Sequence, residues 1–159
     1  MKFNKAIKNL FIVLFSTLLI SACTTAKKAT VDTVDDVYTG TDTVEFLAKG
    51  VPDRIFFATN KSKLTTASRD TLRKQATWMR KNKDVTVTVE GHADERGTRE
   101  YNLALGERRA NAAKDYLMTY GVSGKRISVI SYGKERPVNP ASSPLAWSQN
   151  RRSVTVKAN

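Results

Sequence analysis

Apolar and polar positions alternate along Val85-Thr86-Val87-Thr88-Val89. A period of two is the pattern of a half-buried strand. Arg54-Ile55-Phe56-Phe57 is a short apolar run suited to a buried strand. The period then changes. Leu72, Ala76 and Met79 recur at i, i+4 and i+7, and Thr65 or Thr66 can cap the start, so a helix is predicted over about 66–81. Leu103, Gly106, Ala110, Ala113 and Leu117 mark one face of a second helix, about 102–120. Its small residues allow close approach to a sheet, and Gly121 stands where a C-cap is expected. Ile127–Tyr132 reads as a third strand and Ser153–Val156 as the last, with a loop holding Pro137, Pro140 and Pro144 between them. The order β-α-β-α-β-β predicts an α/β (α+β) sandwich with both helices on one face of a mixed four-stranded sheet. This domain is placed at residues 51–159.

The first residues follow another logic. Lys2, Lys5 and Lys8 precede an 11-residue apolar run, Leu10–Ile20. That is the layout of an export signal, and it falls short of the ~20 apolar residues of a membrane-spanning helix. Leu19-Ile20-Ser21-Ala22-Cys23 resembles a lipoprotein processing site. Cleavage before Cys23 and acylation of its thiol are expected, with Thr24 implying sorting to the outer membrane. Residues 1–22 are thus read as a signal and 23–50 as a lipidated N-terminus and linker. The stretch after Cys23 is rich in Thr, Asp, Ala and Lys and too polar to form a core. It could reach ~90 Å fully extended and ~30 Å as a coil. A short strand at 42–47 is also expected.

Charge is unevenly spread: residues 51–159 carry +11 of the net +12. A basic domain favours anionic surfaces or is simply well solvated. His92 is the only histidine and Cys23 the only cysteine. No zinc cluster, Cys/His pair or spaced Ser-His-Asp triad can be assembled, and no Gly-rich phosphate loop is present. No enzyme, cofactor or metal is expected. Nucleic acid is a poor fit for a chain with an export signal.

Residues 89–111, from Val89-Glu90-Gly91-His92-Ala93-Asp94-Glu95-Arg96-Gly97 to Arg108-Arg109-Ala110-Asn111, closely resemble the signature of the OmpA-like peptidoglycan-binding domain family. Ser131–Pro137 and Trp147–Arg152 are also typical of it, and the resemblance covers about 53–157. It implies a non-covalent clamp on the cell wall, its ligand the diaminopimelate of the peptidoglycan stem peptide. Lipid-anchored members imply tethering of the outer membrane to the wall from the periplasmic side, and partners such as TolB in envelope integrity and division. Diaminopimelate ends in an ammonium and a carboxylate. A site for it needs a carboxylate and a guanidinium at fixed separation, the latter able to hold a carboxylate bidentately. By resemblance, Asp94 and Arg109 contact the ligand, and Arg96 and Leu105 line the site. Asn102, Leu105 and Arg109 fall at i, i+3, i+7 on one stripe beginning at the helix N-terminus, where anions are favoured. On spacing alone, Asp94 also fits a turn or helix cap and Arg109 a surface pair with Glu107 or Glu100. Where the family often reads Phe-Asp-Phe-Asp-Lys-Ser, this chain has Ala58, Thr59 and Asn60, so Asn60 brings an acceptor but no charge. His92 is expected to pack or hydrogen-bond near the loop, and Asn150-Arg151-Arg152 to lock a loop near the last strand.

Overall fold

The structure, a computed structural model, describes residues 36–158. The expected signal, the expected acylation at Cys23 and the first part of the expected linker lie outside the described residues. Strands β1 (Phe46–Ala48) and β2 (Val51–Pro52) form an antiparallel hairpin, turned at Gly50 with φ +74°. Then follow β3 (Arg54–Phe56), α1 (Thr66–Lys81), β4 (Thr86–His92), α2 (Arg99–Thr119), β5 (Ile127–Gly133), α3 (Pro144–Asn150) and β6 (Arg152–Ala158). The main sheet runs β3-β6-β4-β5, with β4 and β5 parallel and the other pairs antiparallel. This is the mixed four-stranded sheet expected.

One face of the sheet carries both long helices. Ile55, Val87, Val89 and Ile127 meet Leu72, Ala76 and Met79 of α1 and Ala110, Ala113 and Leu117 of α2, all buried. The α1 stripe is the expected one, and of the expected α2 stripe Leu103 is only half-buried and outside this cluster. Thr65 caps α1 by accepting the Ser68 backbone N–H at 3.1 Å. At the far end of α2, Gly121 sits at φ +82°. Its N–H bonds the Met118 carbonyl at 2.9 Å, and that of Val122 bonds Leu117 at 3.2 Å. That pairing satisfies two terminal carbonyls and needs a left-handed residue between them.

Three differences from the sequence reading matter. Residues 36–50, assigned to the linker by composition, pack on the domain: Val37 and Tyr38 are buried with Phe56 in a second cluster, and Leu47 is buried as well. Tyr38 meeting Phe56 edge-on, with Val37 buried beside them, suffices here, which a composition average hides. The strand expected at 42–47 forms instead at Phe46–Ala48, paired with β2. The Pro-rich loop contains a helical segment, α3, where Ser143 caps by accepting the Ala146 N–H at 3.2 Å and Pro144 occupies the first turn. Proline there forfeits no helical hydrogen bond.

Candidate ligand-binding corner

The corner forms where β4 runs out and the chain turns into α2. Two contacts set its geometry. Thr98 caps α2 through the Tyr101 N–H at 3.2 Å. The helix is then seated directly on the sheet, because Gly91 of β4 faces Gly106 of α2 with no room for a Cβ on either. That seating carries Asn102, Leu105 and Arg109 into the corner, and all three are buried.

Asp94 follows β4. Its Oδ1 accepts from the Arg96 backbone N–H at 3.1 Å and from Arg96 Nε at 3.0 Å. Its Oδ2 accepts from Arg96 Nη2 at 2.7 Å and Arg151 Nη1 at 3.3 Å. A carboxylate offers about four lone-pair directions, so all are occupied. Burial works to raise the Asp94 carboxyl, but the bonds from Arg96 and Arg151 outweigh it and hold the group below its ordinary value. The turn-cap alternative is therefore part of the truth: the Asp94 carboxylate closes a turn with Arg96 while Thr98 caps the helix.

Arg109 is fully buried and does not pair with Glu107 or Glu100 on the surface. Its guanidinium donates to three carbonyls: Lys61 at 2.9 Å, His92 at 2.8 Å and Ala58 at 3.1 Å. It also lies over the Phe57 ring, 5.2 Å from the centroid. Burial first, then the neighbouring Arg151 charge, press it down to about 9, still cationic at neutral pH.

The other expected residues have distinct places. Arg96 is half-exposed and stacks on Trp147, 4.4 Å from the ring centroid. Asn102 Nδ2 donates to the Arg96 carbonyl at 2.9 Å, bracing the turn. Leu105 is buried on the α2 stripe. Asn60 is exposed at φ +56° in the 58–61 turn, a left-handed conformation that Asn tolerates better than most residues. Among the described residues its side chain makes no hydrogen bond. His92 packs against Tyr132, ring centroids 5.6 Å apart, and neither ring nitrogen finds a hydrogen-bond partner among the described residues. Burial, with the charges of Arg152, Arg54 and Arg136, lowers it to about 3, so it is neutral at physiological pH.

Two members of the corner were not anticipated. Arg151 was grouped with a loop lock. That role belongs to Asn150, whose Oδ1 accepts from the Val138 and Asn139 N–H groups at 2.8 and 3.1 Å. Arg151 instead bridges Asp94 to Asp36 Oδ1, the latter at 2.7 Å, and Nε reaches the Phe57 carbonyl at 3.1 Å. Asp36 arrives from the segment ahead of the hairpin. A groove of about 630 Å³, lined by Asp36, Ala58, Thr59, Lys61, Lys63 and Arg69 among others, opens beside them.

The chain belongs to the OmpA family, whose members it matches over residues 56–151. Within it the chain is similar to proteins named peptidoglycan-associated lipoprotein. The one from Mesorhizobium japonicum is 55% identical over 106 residues, 67% of this chain and 63% of that protein. The one from Brucella melitensis is 44% identical over 150 residues, 91% and 89% of the two chains. The match thus spans less than two thirds of the Mesorhizobium relative and most of the Brucella one. Among solved structures, the peptidoglycan-associated lipoprotein from Burkholderia pseudomallei superposes with a TM-score of 0.65 at 32% identity, covering 67% of this chain and 90% of that one. The C-terminal domain of Helicobacter pylori MotB, at 23% identity and a TM-score of 0.63 over 67% and 84% of the chains, shares the fold alone.

Proposed function

We propose that this protein is a non-catalytic clamp that binds peptidoglycan through the diaminopimelate of its stem peptide and ties the outer membrane to the wall. The membrane end is an acylated Cys23, holding the domain on the periplasmic side. The wall end is the corner of Asp94, Arg96, Leu105, Asn102 and Arg109, with Asn60 at its edge. The observation that carries the reading is the charge balance of that corner. Three guanidiniums, Arg96, Arg109 and Arg151, are set against two carboxylates, Asp36 and Asp94. Arg109 lies buried with only carbonyls as partners. The corner therefore holds a surplus of positive charge, and the half-exposed Arg96 is the guanidinium that an incoming carboxylate can reach. Asp94 keeps Arg96 in place while Arg96 still faces solvent, so the corner can take a group bearing both charges. The family membership and the names of its relatives support the same reading. A place beside TolB in a Tol-Pal-type system for envelope integrity and division follows from the family resemblance.

The test is co-sedimentation of the full chain, in detergent, with purified sacculi. Wild type should pellet, and Asp94→Ala and Arg109→Ala should stay in solution while keeping a folded far-UV spectrum. Folded variants that pellet like wild type would sink the assignment of the corner. Release of soluble fragments from the sacculi would turn the reading toward a wall-cleaving enzyme.

A further inference from the structure

The 58–60 loop brings no acid to the corner, yet a carboxylate stands there. It belongs to Asp36, which sequence order places before the domain. Its Oδ2 accepts from the Thr59 backbone N–H at 3.2 Å and from the Thr59 hydroxyl, and its Oδ1 accepts from Arg151 Nη2 at 2.7 Å. The Asp36 carbonyl accepts from the same Nη2. Thr59 Oγ1 in turn accepts from Arg96 Nη2 at 3.3 Å. A closed ring results: Asp36, Arg151, Asp94, Arg96, Thr59 and back to Asp36. Asp36 sits at φ +53°, a left-handed conformation that this short acid can adopt. That twist turns its carbonyl and its carboxylate toward one guanidinium.

The two acids on Arg151 differ in access. The Asp94 side chain is 8% exposed and every lone pair is engaged. The Asp36 side chain is 43% exposed, and among the described residues its two oxygens take three donors, one fewer than Asp94. It also opens onto the groove along Thr59, Lys61 and Lys63. Next to it, Arg96 Nη1 has no acceptor among the described residues. An ammonium approaching this corner therefore meets the more open carboxylate on Asp36 before the buried one on Asp94, and a carboxylate beside that ammonium finds Arg96.

Resting on the wall-binding reading above, we propose that Asp36 is a further carboxylate of the site that receives the side-chain ammonium of the stem peptide's diamino acid, so that the segment leading in from the membrane anchor is part of the ligand site. Asp94 holds Arg96 and Arg151 in place beneath it. A charge-assisted hydrogen bond at a half-exposed site predicts a tenfold effect on affinity, on the order of the ~1.5 kcal/mol such bonds contribute.

The experiment is calorimetric titration of the full chain in detergent with two peptides. One is L-alanyl-γ-D-glutamyl-meso-diaminopimelate. The other is the same peptide with its free side-chain amine acetylated, which removes the positive charge. Wild type should prefer the free amine. Asp36→Asn keeps the side chain's shape and should weaken the free-amine peptide about tenfold while leaving the acetylated one unchanged. Equal affinity of Asp36→Asn and wild type for the free-amine peptide overturns the proposal and leaves the wall-binding reading intact. So does a parallel loss for both peptides, which marks a merely structural role. Wild type that binds neither peptide nor sacculi removes both.

Discussion

Replacing Gly106 by alanine puts two rules in opposition. Alanine is the better helix former by about 1 kcal/mol, so at an interior position of α2 propensity alone predicts a gain. The structure predicts a loss. A Cβ at 106 would lie 2.3 Å from Ser131 Oγ and 2.9 Å from the Gly91 carbonyl oxygen, where an ordinary contact is ~3.5 Å. Ser131 cannot turn away freely, because its hydroxyl donates to the Leu103 carbonyl at 2.7 Å and accepts the Gly133 N–H at 3.2 Å. Losing those bonds costs about 1–2 kcal/mol. Lifting the helix off a backbone carbonyl adds an overpacking cost of about 1–3 kcal/mol. Set against the propensity gain, the net expectation is a destabilisation of roughly 1–4 kcal/mol. Urea denaturation of wild type and Gly106→Ala reads it directly. Ser131→Ala removes the first clash partner, so the double variant should lose less than the two single losses combined. Arg109 lies one turn further along α2, and lifting the helix would draw it from its carbonyls, so sacculus binding should fall too. Gly106→Ala as stable as wild type, or more so, would refute the argument.

Other variants probe the rest of the fold. His92, held neutral down to about pH 3 when folded but titrating near 6.5 when unfolded, makes the unfolded chain bind the extra proton in between; stability should fall as pH drops through that window, by roughly 2–3 kcal/mol at pH 4.5 relative to pH 7.5, and His92→Phe should flatten this part of a urea-denaturation pH series. Tyr38→Ala should cost about 3 kcal/mol because Tyr38 is buried 4.7 Å from the Phe56 centroid, whereas Tyr38→Phe should be neutral or stabilising, since its buried hydroxyl has no partner among the described residues; thermal melts of the pair decide whether 36–50 belongs to the folded unit. Arg109→Lys should lose sacculus binding and about 2–4 kcal/mol, because one ammonium cannot reach three carbonyls set for a planar fork.

Legibility in the sequence followed the range of the interaction that decides each feature. The α1 stripe and the Val87/Val89 alternation are set by neighbours a few residues apart, and both appear as written in the chain. The small residues of α2 announced close approach, but their partner Gly91 did not announce itself, since one glycine in a strand has many readings. Helix α3 was signalled by Ser143-Pro144, a cap followed by a first-turn proline, yet three prolines in one stretch masked it as loop. Asp94, Arg96 and Arg109 do converge, as the family signature led one to expect. Pattern could not supply the order of exposure: Arg109 lies innermost on carbonyls and Arg96 outermost on Trp147. Asp36 and Arg151 stand 115 residues apart in the chain, and no local rule links an acid in a polar lead-in to an arginine before the last strand.

That order of exposure separates two jobs which a single alanine scan would merge. Arg109 ties the Ala58–Lys61 turn to the end of β4, and Arg151 ties Phe57 to Asp94 and Asp36, so each joins segments that meet only in the folded chain. Removing either leaves buried acceptors or an unpaired acid, and the fold registers the loss before any ligand does. Arg96 and Asp36 keep open sides toward solvent, and their screened contacts contribute less to stability. Binding losses at the inner pair are therefore read beside a stability measurement of the same variant, and binding losses at the outer pair report on recognition directly. The corner works because the inner guanidiniums are satisfied by backbone carbonyls and by the carboxylates of Asp94 and Asp36, which leaves the outer groups positioned, partly desolvated and still free to accept a ligand of the opposite pattern.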